Sequence, residues 1–280
     1  MFTPFSLNIR GRLFEYDKPA VMGIVNVTPD SFFAGSRSST IPEIAKRVEE
    51  MITAGADMLD LGAYSSRPGA SDVSEEEECR RIALGMKVIR DISQDIPVSV
   101  DTFRAGVARE AVVNLGADIV NDISGGDLDQ EMWATVADLN APYILMHMRG
   151  NPSTMQALTE YHDVTADVIS DLSEKLRRLR LMGVSDIIID PGFGFSKTTE
   201  QNFEMMRNLQ LFKSSLGAPV LVGVSRKSMI TKSLGITPME ALPGTIALDT
   251  IALTRGASIL RVHDVSEAVA AVRMYELSTL

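Results

Sequence analysis

Cysteine is almost absent from this chain of 280 residues, and Cys79 is the only copy. A single thiol excludes an internal disulfide and a zinc site built from several cysteines. The sequence also contains no His-x-Glu-x-x-His pattern, which argues against a tightly held zinc ion. A functional site in this chain therefore has to be sought among carboxylates, amides and cations.

Long hydrophobic runs are missing as well. No apolar stretch reaches the length of a membrane span, and the N-terminus lacks the layout of a signal peptide. With 27 basic and 37 acidic residues, the net charge is -10, which argues against non-specific nucleic-acid binding. We therefore expect a soluble, cytoplasmic protein whose partners include neither a nucleic acid nor a membrane.

Hydrophobic residues make up 45% of the chain. They occur in short apolar runs that alternate with amphipathic stretches. The runs predicted to be strands are 20–25, 58–61, 97–100, 119–120, 143–146, 187–189, 219–224 and 258–260. A helix is predicted after each of them, including one over 201–211. Eight such units predict an α/β fold of the (β/α)8 TIM-barrel class, as one domain over residues 1–280 with a short N-terminal β-hairpin in residues 1–18. A doubly wound open sheet is the alternative, although its Gly-x-Gly-x-x-Gly turn is missing.

Each predicted strand ends at a small or polar residue. These residues are Asn26, Gly62, Asp101, Asn121, His147, Asp190, Ser225 and Arg261. In a closed parallel barrel all strand exits lie on the face that carries active sites. The pattern therefore favours a small-molecule site at that face.

Acids and amides at these exits can bind a flat heterocycle. Asp101, Asn121 and Asp190 arrive from three different strands, and together they can pair with the N–H, amino and carbonyl edges of such a ring. Each also has a structural interpretation. Asp101 is placed to cap a following helix, and Asp190 precedes Pro191-Gly192 as a turn residue.

Cations follow several of the same strands. They are Arg67, Arg226, Lys227, Arg261 and His263. Arg261 and His263 flank Val262, so both side chains of the extended chain point the same way. This grouping predicts a phosphate or diphosphate site. The structural alternatives are a solvated basic turn at Ser225 to Ser228 and a purely structural His263.

Several motifs resemble those of one family. Gly23-Ile24-Val25-Asn26-Val27-Thr28-Pro29-Asp30-Ser31-Phe32 and Ser65-Ser66-Arg67-Pro68-Gly69-Ala70 resemble the two signatures of the dihydropteroate synthase family, whose members are pterin-binding barrels. Further similar blocks begin at Ser99, Val120, Ile189, Gly223 and Arg261. The blocks follow family order and cover nearly the whole chain from Pro19 onward.

The resemblance implies a transferase of folate biosynthesis. Such an enzyme condenses a dihydropterin hydroxymethyl diphosphate with 4-aminobenzoate, releasing diphosphate and giving dihydropteroate, with Mg2+ as cofactor and a homodimer as the assembly. Both substrates are small molecules, and the family is the target of sulfonamides. Catalytic roles are implied for Asp30, Arg67, Asp101 and Lys227.

Binding roles follow from the same resemblance. Pterin contacts are implied for Asp101, Asn121, Asp190 and Lys227. Asn26 is implied at the magnesium-diphosphate end, while Ser66, Arg261 and His263 contact the phosphates or the linking carbon. Two loops are implied to form the aminobenzoate pocket, the first with Asp30 and Phe32 and the second with Arg67 and Pro68. Ser228 is implied to bind the carboxylate of aminobenzoate.

Three departures from the family pattern accompany these motifs. The first loop continues Phe33-Ala34-Gly35-Ser36 where the family usually has Ser-Asp-Gly-Gly, Tyr64 stands where Glu is frequent, and Ser66 replaces the usual Thr. A related barrel of the folate-corrinoid methyltransferase type and a pterin-binding paralogue without turnover are the alternatives. The paralogue predicts losses among the residues Asn26, Arg67, Lys227, Arg261 and His263, all of which are present.

Overall fold

A computed structural model describes residues 2–27, 41–64 and 73–279 of the chain. Its strands are β1 (Phe5–Ile9), β2 (Arg12–Tyr16), β3 (Ala20–Asn26), β4 (Met58–Gly62), β5 (Val98–Asp101), β6 (Ile119–Asp122), β7 (Tyr143–Met146), β8 (Ile187–Asp190), β9 (Leu221–Val222) and β10 (Ile259–Val262). Its α-helices are α1 (Ile41–Thr53), α2 (Glu75–Ile92), α3 (Ala105–Val113), α4 (Met132–Leu139), α5 (Val164–Leu181), α6 (Thr199–Arg207), α7 (Leu209–Leu216), α8 (Ser228–Leu234), α9 (Leu242–Thr254) and α10 (Val265–Thr279). Across these three ranges, every helix is too short or too polar to cross a bilayer.

Strands β3 to β10 form one parallel sheet that closes on itself. Their spatial order is β8-β7-β6-β5-β4-β3-β10-β9, so β10, the last strand of the barrel in sequence, pairs with β3, the first. A parallel bridge between Ile189 and Val220 joins β8 to β9, and the Ile189 N–H donates to Pro219 O at 2.8 Å. The predicted (β/α)8 barrel is thus confirmed, and the doubly wound open sheet is wrong.

The barrel is held by apolar side chains on both faces of the sheet. One large cluster fills the space between the strands and the surrounding helices. A second cluster fills the lower interior with Met22, Met58, Ile119, Ile144, Ile188, Leu221 and Ile259. Strands β6, β7 and β8 are buried at every position, as continuous apolar runs in a parallel sheet predict.

The N-terminal hairpin β1-β2 closes the bottom of this barrel, as Leu7 and Ile9 complete the second cluster. Its two-residue turn places Arg10 and Gly11 at positive φ, the backbone geometry that tight hairpins favour. The guanidinium of Arg10 donates to Asp118 Oδ2 at 2.8 Å, and Asp118 also accepts from Arg90 at 2.7 Å. The hairpin predicted from the sequence is confirmed and is bound to the barrel by apolar burial and an ion-pair network.

Two elements differ from the prediction. The single helix predicted over 201–211 is two helices, α6 and α7, separated at Asn208, whose side-chain amide donates to Thr165 Oγ1 at 3.1 Å. The strand predicted over 219–224 has only two ladder residues, because the chain turns after Gly223. Lys227 N–H bonds to Val224 O at 3.1 Å and Arg226 adopts φ 56° in this turn. A side-chain contact distant in the chain and a local turn thus override the apolar patterning at these two elements.

Candidate active site

A cavity of about 530 Å3 opens at the carboxyl ends of the barrel strands. It is lined by eight of the predicted site residues, Asn26, Asp101, Asn121, Asp190, Lys227, Ser228, Arg261 and His263. The prediction that residues from separate strands meet in one pocket is confirmed. The predicted residues Asp30, Phe32, Ser66, Arg67 and Pro68 lie outside the described residues.

Arg261 lies at the centre of an ion-pair network on the cavity floor. Its Nε donates to Asp60 Oδ2 at 2.6 Å, and its Nη2 donates to Asp101 Oδ2 at 2.8 Å. Ser99 donates to the other oxygen of Asp60 at 2.7 Å. Asp60 is fully buried and was missed by the sequence analysis, although an acid inside the apolar strand β4 is a signal in itself.

Asp101 is the acid of this network that lines the cavity. Burial and the neighbouring Asp60 raise the pKa of Asp101 to about 7, against the opposing charge of Arg261. The alternative role as a helix cap is wrong, because the first N–H of α3, on Ala105, donates to Asp129 at 2.7 Å. Asp101 is therefore a cavity carboxyl that changes charge near neutral pH.

Asn121 lies near the end of β6 and Asp190 at the end of β8, with β7 between the two strands. The Asn121 amide donates to Asp60 Oδ2 at 3.2 Å, a bond that leaves the amide oxygen available to accept. Asp190 Oδ1 accepts from Gly192 N–H at 2.7 Å, so the predicted turn role is correct alongside its place in the cavity. Burial raises the pKa of Asp190, and the positive charge of Lys227 opposes that rise.

Lys227 projects over the same cavity. Its ammonium donates to Phe193 O at 2.6 Å and lies 4.6 Å from the centre of the Phe195 ring. Burial lowers the pKa of Lys227 to about 8, although Asp190 favours its charged form. The ammonium of Lys227 has thus lost hydration that would stabilise its charge, and such perturbed groups are typical of functional sites.

Two of the predicted cations do not carry the expected charge into the pocket. Arg226 forms a paired hydrogen bond with both oxygens of Asp264, at 2.8 Å each, so its charge is neutralised within the barrel wall. Burial and the nearby Arg261 lower the pKa of His263 to about 3, so the imidazole is neutral at physiological pH. Its Nδ1 lies 2.9 Å from Ser225 Oγ. The cations that remain on the described cavity wall are Arg261, Lys227 and the exposed Lys232 of α8.

Apolar side chains form the remaining wall. Ile123, Met146 and Met155 belong to a small cluster at the mouth, against which Phe195 packs, and all four line the cavity. The sequence analysis did not select them, because methionine and isoleucine after a strand carry no polar signature. Flat apolar walls with polar groups at one end suit an aromatic heterocycle.

A metal could be held at the end of β3. Among residues 2–27, 41–64 and 73–279, no three His, Cys, Asp or Glu side chains are grouped as a metal site. Asn26 lines the cavity, and a Cβ placed on Gly62 would lie 3.2 Å from Asn26 Oδ1 and 3.6 Å from Asp101. A single amide oxygen is a fitting ligand for a hard cation that takes its other ligands from water and phosphate.

Comparison with known proteins identifies the family. The model of the pterin binding enzyme family matches residues 22–263. The dihydropteroate synthase of Synechocystis is 45% identical over 275 residues, which cover 97% of this chain and 94% of that protein. The chain belongs to the dihydropteroate synthase family. It is therefore an enzyme, a transferase of folate biosynthesis.

Solved dihydropteroate synthases have the same fold. The Yersinia pestis enzyme, in a complex with a sulfonamide drug, aligns with a TM-score of 0.92 and 35% identity over 98% of this chain and 99% of its own. The Xanthomonas albilineans enzyme with 4-aminobenzoic acid aligns with a TM-score of 0.90 and 38% identity over 99% of both chains. The same enzyme with 7,8-dihydropteroate aligns with a TM-score of 0.86 and 36% identity over 98% of both chains. These dihydropteroate synthases bind small molecules.

Proposed function

We propose that this cavity binds the dihydropterin ring of (7,8-dihydropterin-6-yl)methyl diphosphate and is the site at which the protein catalyses condensation of that substrate with 4-aminobenzoate. The observation that carries the proposal is the meeting of Asp101, Asn121, Asp190 and Lys227 around one apolar-walled cavity. The Xanthomonas structures with 4-aminobenzoic acid and 7,8-dihydropteroate support the choice of substrates. The products are 7,8-dihydropteroate and diphosphate.

The polar groups match the pterin edges by hydrogen-bond type. A pterin presents ring N–H and amino donors on one edge, which the carboxylates of Asp101 and Asp190 can accept. The amide oxygen of Asn121 adds another acceptor, while Lys227 donates to a ring carbonyl or nitrogen. Ile123, Met146 and Phe195 cover the ring faces, which removes water and strengthens these hydrogen bonds.

The chemical step breaks the C–O bond between the pterin methylene and the diphosphate. The electron pair leaves with the diphosphate, and the methylene carbon becomes cationic. The amino nitrogen of 4-aminobenzoate then forms the new C–N bond and releases one proton. No enzyme nucleophile is required, so Asp101 and Lys227, with Asp30 and Arg67 of the two signatures, act by stabilising charge and orienting the substrates.

Departure of the diphosphate depends on positive charge that faces the cavity. Arg261 supplies a fixed cation, and the neutral His263 supplies a ring hydrogen bond at the same end. Ser66 contributes a hydroxyl by the family resemblance. Mg2+ fits at Asn26, where it would neutralise charge on the departing diphosphate.

The second substrate occupies the outer part of the mouth in this proposal. Ser228 is exposed at the start of α8 and lines the cavity, so its hydroxyl can receive the carboxylate of 4-aminobenzoate. Phe32 and Pro68 of the signature loops form the rest of this pocket by the family resemblance. The same position would be taken by sulfonamides.

We also propose a cytoplasmic homodimer in which residues 1–280 act as one domain. The span of the family model and the hairpin packed into the barrel bottom support a single domain. Helix α9 is apolar on most of its faces yet leaves Ile251 39% exposed, and Met274 of the adjacent α10 is 59% exposed. A second copy would cover such a surface. Sedimentation should therefore give twice the monomer mass.

Product formation tests the function. The purified protein should form dihydropteroate from the two named substrates with Mg2+ present, and turnover should fall when the metal is removed by chelation. Pterin binding without product would favour the paralogue without turnover. Methyl transfer to a corrinoid acceptor in place of condensation would favour the methyltransferase alternative.

Calorimetry tests the order of binding. Because the outer pocket is completed by groups around the pterin and diphosphate, 4-aminobenzoate should bind appreciably only when the pterin substrate or diphosphate is present. Equal affinity of 4-aminobenzoate for the unliganded protein would contradict that order.

A further inference from the structure

A second lysine lies behind the cavity wall. Lys197 lies in the β8–α6 loop, is 4% exposed and is not among the residues that line the cavity. Its Nζ donates to Gly192 O at 3.1 Å and to Phe195 O at 2.9 Å, and it lies 3.0 Å from His147 Nδ1. Nothing in the proposed chemistry uses this side chain directly.

The three partners of Lys197 match the three N–H groups of an ammonium. Two are carbonyl oxygens, and the third is the ring nitrogen of His147. Burial and the charge of Lys197 lower the pKa of His147 well below its usual value, so the imidazole is neutral and Nδ1 can accept. In the part of the chain that the structure describes, none of these partners is a carboxylate. A cation buried without one is costly, so the arrangement is not explained by stability.

The loop that Lys197 holds is in an unusual backbone conformation. Gly192, Gly194 and Ser196 all have positive φ, at 72°, 83° and 53°. A Cβ on Gly192 would lie 2.0 Å from His147 O, so the backbones of the β7 and β8 exits are in close contact there. Such a turn is maintained only when its surroundings fix it.

This turn also supports the cavity. Its Gly192 and Phe195 carbonyls point to Lys197, while the Phe193 carbonyl between them accepts from Lys227 at 2.6 Å. The Phe195 ring forms part of the cavity wall under the Lys227 ammonium. One backbone segment thus connects the buried Lys197 to two groups that contact the bound ring in the proposed function.

We propose that Lys197 is a positioning residue for the pterin site, whose hydrogen bonds to Gly192, Phe195 and His147 hold the 191–196 turn and so set the places of Phe195 and Lys227. The inference rests on the proposed function for the identity of the ligand. Burial lowers the pKa of Lys197 itself to about 7, and the charge that it carries opposes the burial-driven rise in the pKa of Asp190.

Steady-state kinetics of Lys197→Met tests the proposal. Loss of the ammonium leaves two buried carbonyls without a donor, and the turn relaxes. The KM for the dihydropterin diphosphate should rise about tenfold or more, with the KM for 4-aminobenzoate changing by less than about threefold. Lys175→Met is the matched control, because Lys175 of the outer helix α5 is also buried, at 7% exposed, but pairs with the carboxylates of Asp127 and Asp171. Its kinetic constants should not change.

A pair of substitutions at His147 separates positioning from general destabilisation. His147→Asn keeps an acceptor near the place of Nδ1 and should retain pterin affinity within about twofold, whereas His147→Leu removes it and should behave like Lys197→Met. This pair also decides the matter if Lys197→Met does not fold. Equal behaviour of the two His147 variants, or a loss in Lys197→Met that falls equally on both KM values, would overturn the proposal.

Direct calorimetry with the dihydropterin diphosphate keeps the two proposals apart. If wild-type protein forms no dihydropteroate but binds the pterin, the condensation is wrong, and the affinities of the variants still test Lys197. If wild-type protein is active and all variants bind the pterin alike, the proposed function stands and the positioning role fails.

Discussion

Replacing Lys227 by methionine should make the protein more stable and less active. Burial lowers the pKa of Lys227 from its usual 10.5 to about 8. At 1.36 kcal/mol for each pH unit, holding the ammonium in the folded state at neutral pH costs about 3 kcal/mol. Methionine has a similar shape and no charge, so this cost is removed. The Phe193 carbonyl loses its donor in the variant, which destabilises the folded state by about 1–2 kcal/mol. We expect a net gain of about 1–2 kcal/mol in the free energy of unfolding at neutral pH.

The gain should depend on pH in a defined direction. Between about pH 8 and 10.5 the folded protein binds fewer protons at Lys227 than the unfolded chain, so wild-type stability rises with pH through that window. Below pH 8 the cost of the buried ammonium is present in full. The advantage of Lys227→Met should therefore be largest below pH 8 and should disappear toward pH 10.5.

Urea unfolding at pH 7 and at about pH 9.5 measures this difference. Lys87→Met is the control, because Lys87 is an exposed helix lysine that pairs with Asp91 of the same helix. Turnover of Lys227→Met should fall about 100-fold or more, as expected when a group that stabilises charge in a buried site is removed. A variant that is less stable than wild type at pH 7, or that turns over at the wild-type rate, would refute the reasoning.

Three further predictions concern Asp60 on the cavity floor, the cavity carboxyl of Asp101, and Leu7 of the hairpin that closes the bottom of the barrel. Asp60→Asn should cost about 3 kcal/mol in chemical unfolding, because Arg261 loses a charge-assisted bond, and it should lower the pKa of Asp101 in a carboxyl NMR titration. Because a proton removes the charge that accepts pterin N–H groups, wild-type pterin affinity should fall as the pH drops through about 7, and calorimetry of Asp101→Asn should show a flatter profile. Leu7→Ala should cost about 3 kcal/mol in chemical unfolding with kcat unchanged, and a matching loss of kcat would show that the hairpin also shapes the site.

The fold could be predicted because its signals are local and repeated. Eight apolar runs, each followed by a helical pattern, allow few closed arrangements, and the hairpin has its own turn signal at Gly11. The errors came where local signals were weak. The break at Asn208 depends on a side chain from α5, and the short β9 depends on a turn that Arg226 stabilises through Asp264.

The site could be predicted in part for the same reason. Strand exits are visible in a sequence, so Asp101, Asn121, Asp190 and Arg261 were found. Asp60 was missed because its partner Arg261 is 201 residues away and is brought to it by closure of the barrel. Protonation states were also inaccessible, because a histidine whose pKa is about 6.5 in water stays neutral to a much lower pH where burial removes its hydration.

The sequence by itself determined that this chain forms a barrel, and its motifs determined the family, because alternating periodicity and strand-end residues are encoded locally. Only the tertiary structure decided which charges oppose one another. Arg226 is neutralised by Asp264, His263 is uncharged, and Arg261 is shared between Asp60 and Asp101. The strength of a charge depends on burial and on partners distant in the chain, and both exist only after folding.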